Sequence, residues 1–186
     1  MRDAAATAGA GRVPQGCRVN RRPRVATARK RVLPTGAVYT LHPGEVACAD
    51  QGERLETLLG SCVAIVLTDP RRTIGVMCHI VHAKQALASA PKTGAYASVA
   101  LEAMYGLLLS RGIAPKLCEG YVFGGGNMFP DLVRQDHVGD ANARWALAAL
   151  TDDGIRVLFH DLGGTTYRKL GWTVGREAPQ VTAVEV

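Results

Sequence analysis

The stretch "CVAIVLTDPRRTIGVMCHIV", residues 62–81, constrains the fold most. Two short apolar runs rich in β-branched residues flank Asp69-Pro70-Arg71-Arg72, with Asp first and Pro second, as a type I turn favours. The pattern predicts an antiparallel hairpin. Alternation places Cys62, Ala64, Val66, Met77 and His79 on one face and Val63, Ile65, Leu67, Ile74, Val76 and Cys78 on the other. Both faces are mostly apolar, so the hairpin must lie inside a packed layer with protein above and below.

The remaining segments supply those layers. Short apolar runs at 37–41 and 45–48 read as strands around the turn His42-Pro43-Gly44. Residues 94–110 read as a helix, with Val99, Ala103 and Leu107 beside Ala100, Met104 and Leu108, stopped at Gly112. "KLCEGYVFGGGNMF" reads as a strand entering a glycine-rich loop. "DANARWALAALTDDGI" reads as a second helix, with Asp140 as candidate N-cap and Gly154 beyond its end. "IRVLFHD", "TTYRKLGWTV" and "QVTAVEV" read as three further strands. The expectation is one α+β domain over 36–186, with mixed, mostly antiparallel sheet layers and two main helices on one face, an α/β/β-type layered sandwich.

Charge separates the chain into two parts. Residues 1–35 hold nine Lys/Arg against the single acid Asp3, so the overall +6 belongs to this segment and the remainder is near neutral. The segment is Ala/Gly/Arg-rich and interrupted by Pro14, Pro23 and Pro34, and is expected to be a disordered basic arm. Such an arm suits an acidic partner, a phosphate or an organelle transit role. A solvated tail is the preferred reading, since basic runs alone discriminate poorly. A nucleic-acid or membrane-surface binder acting through the arm is the competing function from a different class. The near-neutral domain argues against nucleic acid. No apolar run approaches the ~18 residues that span a bilayer, so no membrane insertion is expected. The N-terminus lacks the apolar core of a secretory signal, which places the chain in the cytoplasm.

Five cysteines (Cys17, Cys48, Cys62, Cys78 and Cys118) without CxxC spacing are expected to be reduced thiols. If the turn closes the hairpin symmetrically, Thr68 pairs with Thr73 and Cys62 stands directly opposite His79. An imidazole there can take the thiol's proton or form an ion pair with the thiolate. A buried cysteine facing a partly buried histidine by chance is the competing reading. Thr57, Glu56 and Ser61 are the nearby groups able to orient the base. Gly60 and Ser61 permit backbone N–H groups to converge on an oxyanion. The "GGGNMF" loop is either a rim that closes on a peptide or a tight turn. It lacks the Lys-Ser/Thr of a P-loop. His79 and His82 point to opposite faces, and no second Cys/His cluster completes a tetrahedral set, so no metal is expected.

Several ordered motifs then carry a resemblance: "TLLGSCVAIVLTDP" (57–70), "IGVMCHIV" (74–81), "GAYASVALEAM" (94–104), "VFGGGNMF" (122–129), "HVGDANARWALAAL" (137–150) and "HDLGGTTYRKL" (160–170). Together they resemble the CheD family of chemoreceptor glutamine deamidases over roughly 37–186. The resemblance implies Cys62 as nucleophile, His79 as general base and Thr57 as the third catalytic residue. Gly60, Ser61, Gly125, Gly126 and Asn127 would form the substrate and oxyanion environment. It implies hydrolysis of a glutamine side-chain amide in the cytoplasmic helices of a chemoreceptor, giving glutamate and ammonia without a cofactor. The same machinery suits a glutamyl methyl ester. A non-enzymatic adaptor of a CheC-type phosphatase is the alternative. Ser98, where an acid is expected, and "HIVHAKQ", in place of a Leu-Pro ending, depart from the family pattern and bear on substrate choice more than on chemistry.

Overall fold

The computed structural model describes residues 38–83, 93–132 and 137–184. The basic arm expected over 1–35 lies outside them. In chain order the elements are β1 (Val38–Thr40), β2 (Val46–Asp50), β3 (Arg54–Leu59), β4 (Val63–Thr68), β5 (Ile74–Cys78), α1 (Ala97–Ser110), β6 (Glu119–Gly124), α2 (Val138–Asp152), β7 (Arg156–Leu162), β8 (Tyr167–Thr173) and β9 (Gln180–Val184). A short 3-10 turn, Pro115–Leu117, leads into β6.

The predicted hairpin forms the centre of a five-stranded sheet ordered β2-β5-β4-β6-β7, and every residue of β4 is buried. Alternation along β4 divides the core as expected. Val63, Ile65 and Leu67 pack with Ala100, Met104 and Leu108 of α1 and with Ala146 and Leu150 of α2. Ala64 and Val66 pack with Leu55, Leu59, Leu170 and Trp172 of a second sheet, ordered β1-β3-β8-β9. Each fully buried Val, Leu or Ile contributes about 1.5–3 kcal/mol, so a strand buried on both faces anchors both layers. The result is a helix layer and two sheet layers, antiparallel except for the β1–β3 and β6–β7 pairs. No helix among the described residues is long and apolar enough to cross a membrane.

The hairpin register differs from the symmetric expectation by two residues. The turn is present, with the Arg72 N–H donating to the Asp69 carbonyl at 2.8 Å. Strand pairing does not resume there. The Asp69 carboxylate accepts the N–H groups of Thr73 (2.7 Å) and Ile74 (2.9 Å), taking both away from pairing with β4, and Arg72 adopts φ 56°. Thr68 therefore pairs with Gly75, and Val66 with Met77. A two-residue shift preserves the face of every side chain, whereas a one-residue shift would reverse it.

Two helix boundaries also differ. α1 starts at Ala97, because Gly94 lies so close to Gly44 that a Cβ would sit 2.5 Å from the Gly44 carbonyl oxygen, and Tyr96 remains extended. The buried stripe runs through Ala97, Ala100, Leu101, Met104 and Leu108. α2 is capped by His137, not Asp140: the His137 Nδ1 accepts the Asp140 N–H at 3.3 Å. Asp140 occupies the first turn, where a carboxylate complements the helix dipole, and its Oδ2 reaches the His137 ring at 3.1 Å.

Candidate active site

Along β3, Leu55, Thr57 and Leu59 face the space between the sheets, and Thr57 is the one polar member of that stripe. It is 2% exposed, so its hydroxyl must find partners inside the protein. The hydroxyl donates to the Leu41 carbonyl at 2.9 Å. Having only one proton, it can meet His79 Nδ1, 2.8 Å away, only as an acceptor. His79 therefore carries its proton on Nδ1, and Nε2 keeps a free lone pair. That Nε2 is buried without a hydrogen-bond partner among the described residues. Leaving such a group unpaired costs about 1–3 kcal/mol, which singles it out as a position held for something other than stability.

Cys62 immediately precedes β4, on the same face as His79, flanking the core shared by Ala64, Val66 and Met77. In the observed register Val63 bridges Ile80, which sets His79 opposite Ala64 and one diagonal step from Cys62. Diagonal neighbours across an antiparallel pair are about 7–8 Å apart at Cα, a gap that long side chains span. The direct opposition expected from the symmetric turn is thus replaced by a diagonal one. Burial pushes the half-buried Cys62 thiol up, and the same desolvation lowers His79, partly offset by the Leu41 carbonyl. Desolvation thus favours the uncharged form of each group.

The other candidates separate clearly. Glu56 points to the outer face of its sheet, bonded to Arg54 at 2.6 Å and near Lys169, so it does not orient His79. Cys78 faces the helices, fully buried, with its thiol pushed up to about 12 by burial. Gly60 and Ser61 form the link between β3 and β4, and the glycine loop cradles it. The Gly125 N–H donates to the Cys62 carbonyl at 2.8 Å, Gly126 to Gly60 at 2.9 Å, and Asn127 to Gly164 at 2.8 Å. The first two amides hold the Cys62 segment and the third ties the loop to Gly164, so all three are already engaged within the protein. The backbone N–H groups of Ser61 and Cys62 make no hydrogen bond among the described residues. A cleft of about 470 Å³ opens beside Ser61, rimmed by Asn127, Met128, Phe129 and Tyr167; the thiol and His79 do not line it.

Gly124 shows how tightly the loop clasps the Cys62 segment. It adopts φ 107°, and a Cβ there would lie 2.2 Å from the Cys62 carbonyl oxygen. Gly124→Ala is expected to lower stability by at least about 2 kcal/mol, read from a denaturant melt, with activity lost alongside.

One residue with no place in the sequence reading belongs here. Asn142 of α2 is 1% exposed; its Nδ2 donates to the carbonyls of Ser61 (3.2 Å) and Val81 (2.9 Å), and its Oδ1 accepts the Ala83 N–H at 2.6 Å. The sequence carried a signal for it. Asn142 interrupts the buried stripe Gly139, Ala146 and Leu150 of α2 with an amide that must be satisfied there.

Comparison with known proteins gives a consistent picture. Residues 82–177 match the family model described as CheD chemotactic sensory transduction. A probable chemoreceptor glutamine deamidase CheD of Pseudomonas syringae pv. syringae is 38% identical over 137 residues, spanning 72% of this chain and 77% of the relative. A second such protein, from Albidiferax ferrireducens, is 39% identical over 139 residues, spanning 72% and 80%. A solved Neisseria meningitidis protein of the DUF152 family overlays with a TM-score of 0.39 at 12% identity, covering 65% of this chain and 54% of its own, too slight a likeness to bear on mechanism.

Proposed function

The chain belongs to the CheD family, and on that premise we propose that it hydrolyses glutamine side-chain amides of chemoreceptors to glutamate and ammonia, with Cys62 as nucleophile. The observation that carries this reading is the unpaired Nε2 of His79, its tautomer set by Thr57, on the face that presents the Cys62 thiol. The Cys62 sulfur bonds to the amide carbon while its proton passes to His79 Nε2, and the carbonyl electron pair moves onto oxygen. The backbone N–H groups of Ser61 and Cys62 face that oxyanion. The imidazolium returns its proton to the amine, the C–N bond breaks, and ammonia leaves. Water, deprotonated by His79, then opens the thioester; the thiolate departs and is reprotonated, giving glutamate. Thr57 holds the ring throughout, accepting from Nδ1–H in both charge states. The reaction needs no metal or organic cofactor.

The test is to incubate the purified protein with a receptor cytoplasmic domain and follow glutamine-to-glutamate conversion by mass spectrometry. Conversion with matching ammonia release is expected. A protein that released no ammonia, yet stimulated a CheC-type phosphatase, would replace this reading with the adaptor one.

The neutral resting pair predicts the pH profile. Activity requires unprotonated His79, whose pKa lies below the ordinary 6.5, so the acid limb of kcat/KM should fall below pH 6.5. Burial holds the thiol above 9.0, so the rate should stay on a plateau through neutral pH. An acid limb above pH 7 would contradict a neutral pair.

A further inference from the structure

We infer that Asn142 is a positioning residue that aims the oxyanion-binding N–H of Cys62, acting from α2 through the Ser61 carbonyl. The amide orientation of Asn142 is unambiguous. Its Nδ2 meets two carbonyl oxygens, which can only accept, and its Oδ1 meets the Ala83 N–H, which can only donate. Both N–H protons and the oxygen are thus committed, and the side chain is buried, so it cannot swing to other partners.

The Ser61 carbonyl and the Cys62 N–H belong to one peptide plane. In a trans peptide they point in opposite directions, and no cis peptide occurs among the described residues. α2 packs on the helix-facing side of β4 and β6, whereas Cys62 and His79 present their side chains to the other side. Drawing the Ser61 carbonyl toward α2 therefore turns the Cys62 N–H toward the thiol. The same Asn142 holds the Val81 carbonyl and the Ala83 N–H, just beyond His79. One side chain on the helix layer thereby fixes the donor at the nucleophile and the exit of the strand that carries the base.

The assignment rests on the deamidase reading only in taking Cys62 as nucleophile, so its test avoids the receptor. Cys62 is treated with p-nitrophenyl acetate, an acyl donor, and separately with iodoacetamide, an alkyl donor, at one pH, with the modified cysteine identified by mass spectrometry. Acylation forms the S–C bond through a tetrahedral oxyanion, transfers the thiol proton to His79 and expels p-nitrophenolate. Alkylation displaces iodide at carbon without an oxyanion. Asn142→Asp keeps the acceptor for Ala83 but cannot donate to Ser61. Asn142→Ser, too short to span both carbonyls, covers the case in which a buried carboxylate prevents folding. In the folded variant, verified by a cooperative melt, Cys62 acylation is expected to fall at least about 30-fold while alkylation stays within about threefold of wild type. Equal proportional losses in both reactions would reduce Asn142 to a structural role, and two unchanged rates would overturn the assignment outright. A wild-type protein that is acylated rapidly yet releases no ammonia from receptor would count against the deamidase reading alone.

Discussion

Replacing Cys62 with alanine is expected to lower glutamine hydrolysis by about 10⁵-fold. Removing the nucleophile of a covalent mechanism abolishes the intermediate and leaves only the roughly 10³–10⁴-fold acceleration over water that binding and oxyanion donors supply by themselves. No other described thiol can substitute. Cys78 lies on the opposite face of the hairpin with its thiol pushed up to about 12, Cys118 is held at about 11 by burial, and Cys48 packs against the helix-side core with its thiol pushed up by burial. The substitution removes one sulfur from a half-buried position at the strand end, so the fold should lose only about 1 kcal/mol. Ammonia release measured with a coupled assay, together with a melt, separates the two effects. Wild-type activity in Cys62→Ala would end the covalent reading.

The second large effect belongs to the base. His79→Ala should lower kcat by about 10²–10⁴-fold, the range for a positioned general base. Thr57→Val probes the same unit from the other sheet. It removes the acceptor that holds Nδ1–H and the hydroxyl proton given to the Leu41 carbonyl, and should cost about 10–100-fold in rate. A stability measurement gives an independent reading of His79. Burial lowers its pKa in the folded protein, so below 6.5 the unfolded chain takes up a proton more readily than the folded one. The stabilisation associated with a neutral His79 is therefore present above pH 6.5 and lost as pH falls through the lowered folded value. Melts from pH 8 to 5 should show wild type losing stability faster than His79→Ala. Parallel slopes would place His79 in water.

Much of this was legible from residue order because faces are set by parity alone. The alternation of β4 and β5 gave the side of the sheet on which Cys62, Met77 and His79 lie, and that survived an error in register. The register itself was not legible, because it depends on how many backbone donors the Asp69 carboxylate gathers. A turn rule sees Asp69-Pro70 and stops at Arg72; the carboxylate reaches on to Thr73 and Ile74. The orienting role of Thr57 was ambiguous beside Glu56 until β3 was paired with β8, which put Glu56 opposite Gly171 on the outer face and Thr57 inside. The bonding of the glycine loop was not legible, since glycine spacing does not tell which carbonyl an amide will meet. Asn142 lies 81 residues from Ser61, a contact that only the packing of α2 against β4 creates.

The placement of Thr57 has a consequence for how the protein responds to mild stress. Cys62 and His79 ride on one sheet, while Thr57, which bonds the His79 ring, rides on the other. Catalytic competence is thus a sensor of whether the two sheets are closed against each other. Any motion that parts them by an ångström or two breaks the Thr57–His79 contact and frees the ring to exchange tautomers, long before either sheet unravels. Glutamine hydrolysis should therefore decline at urea concentrations where circular dichroism still reads native.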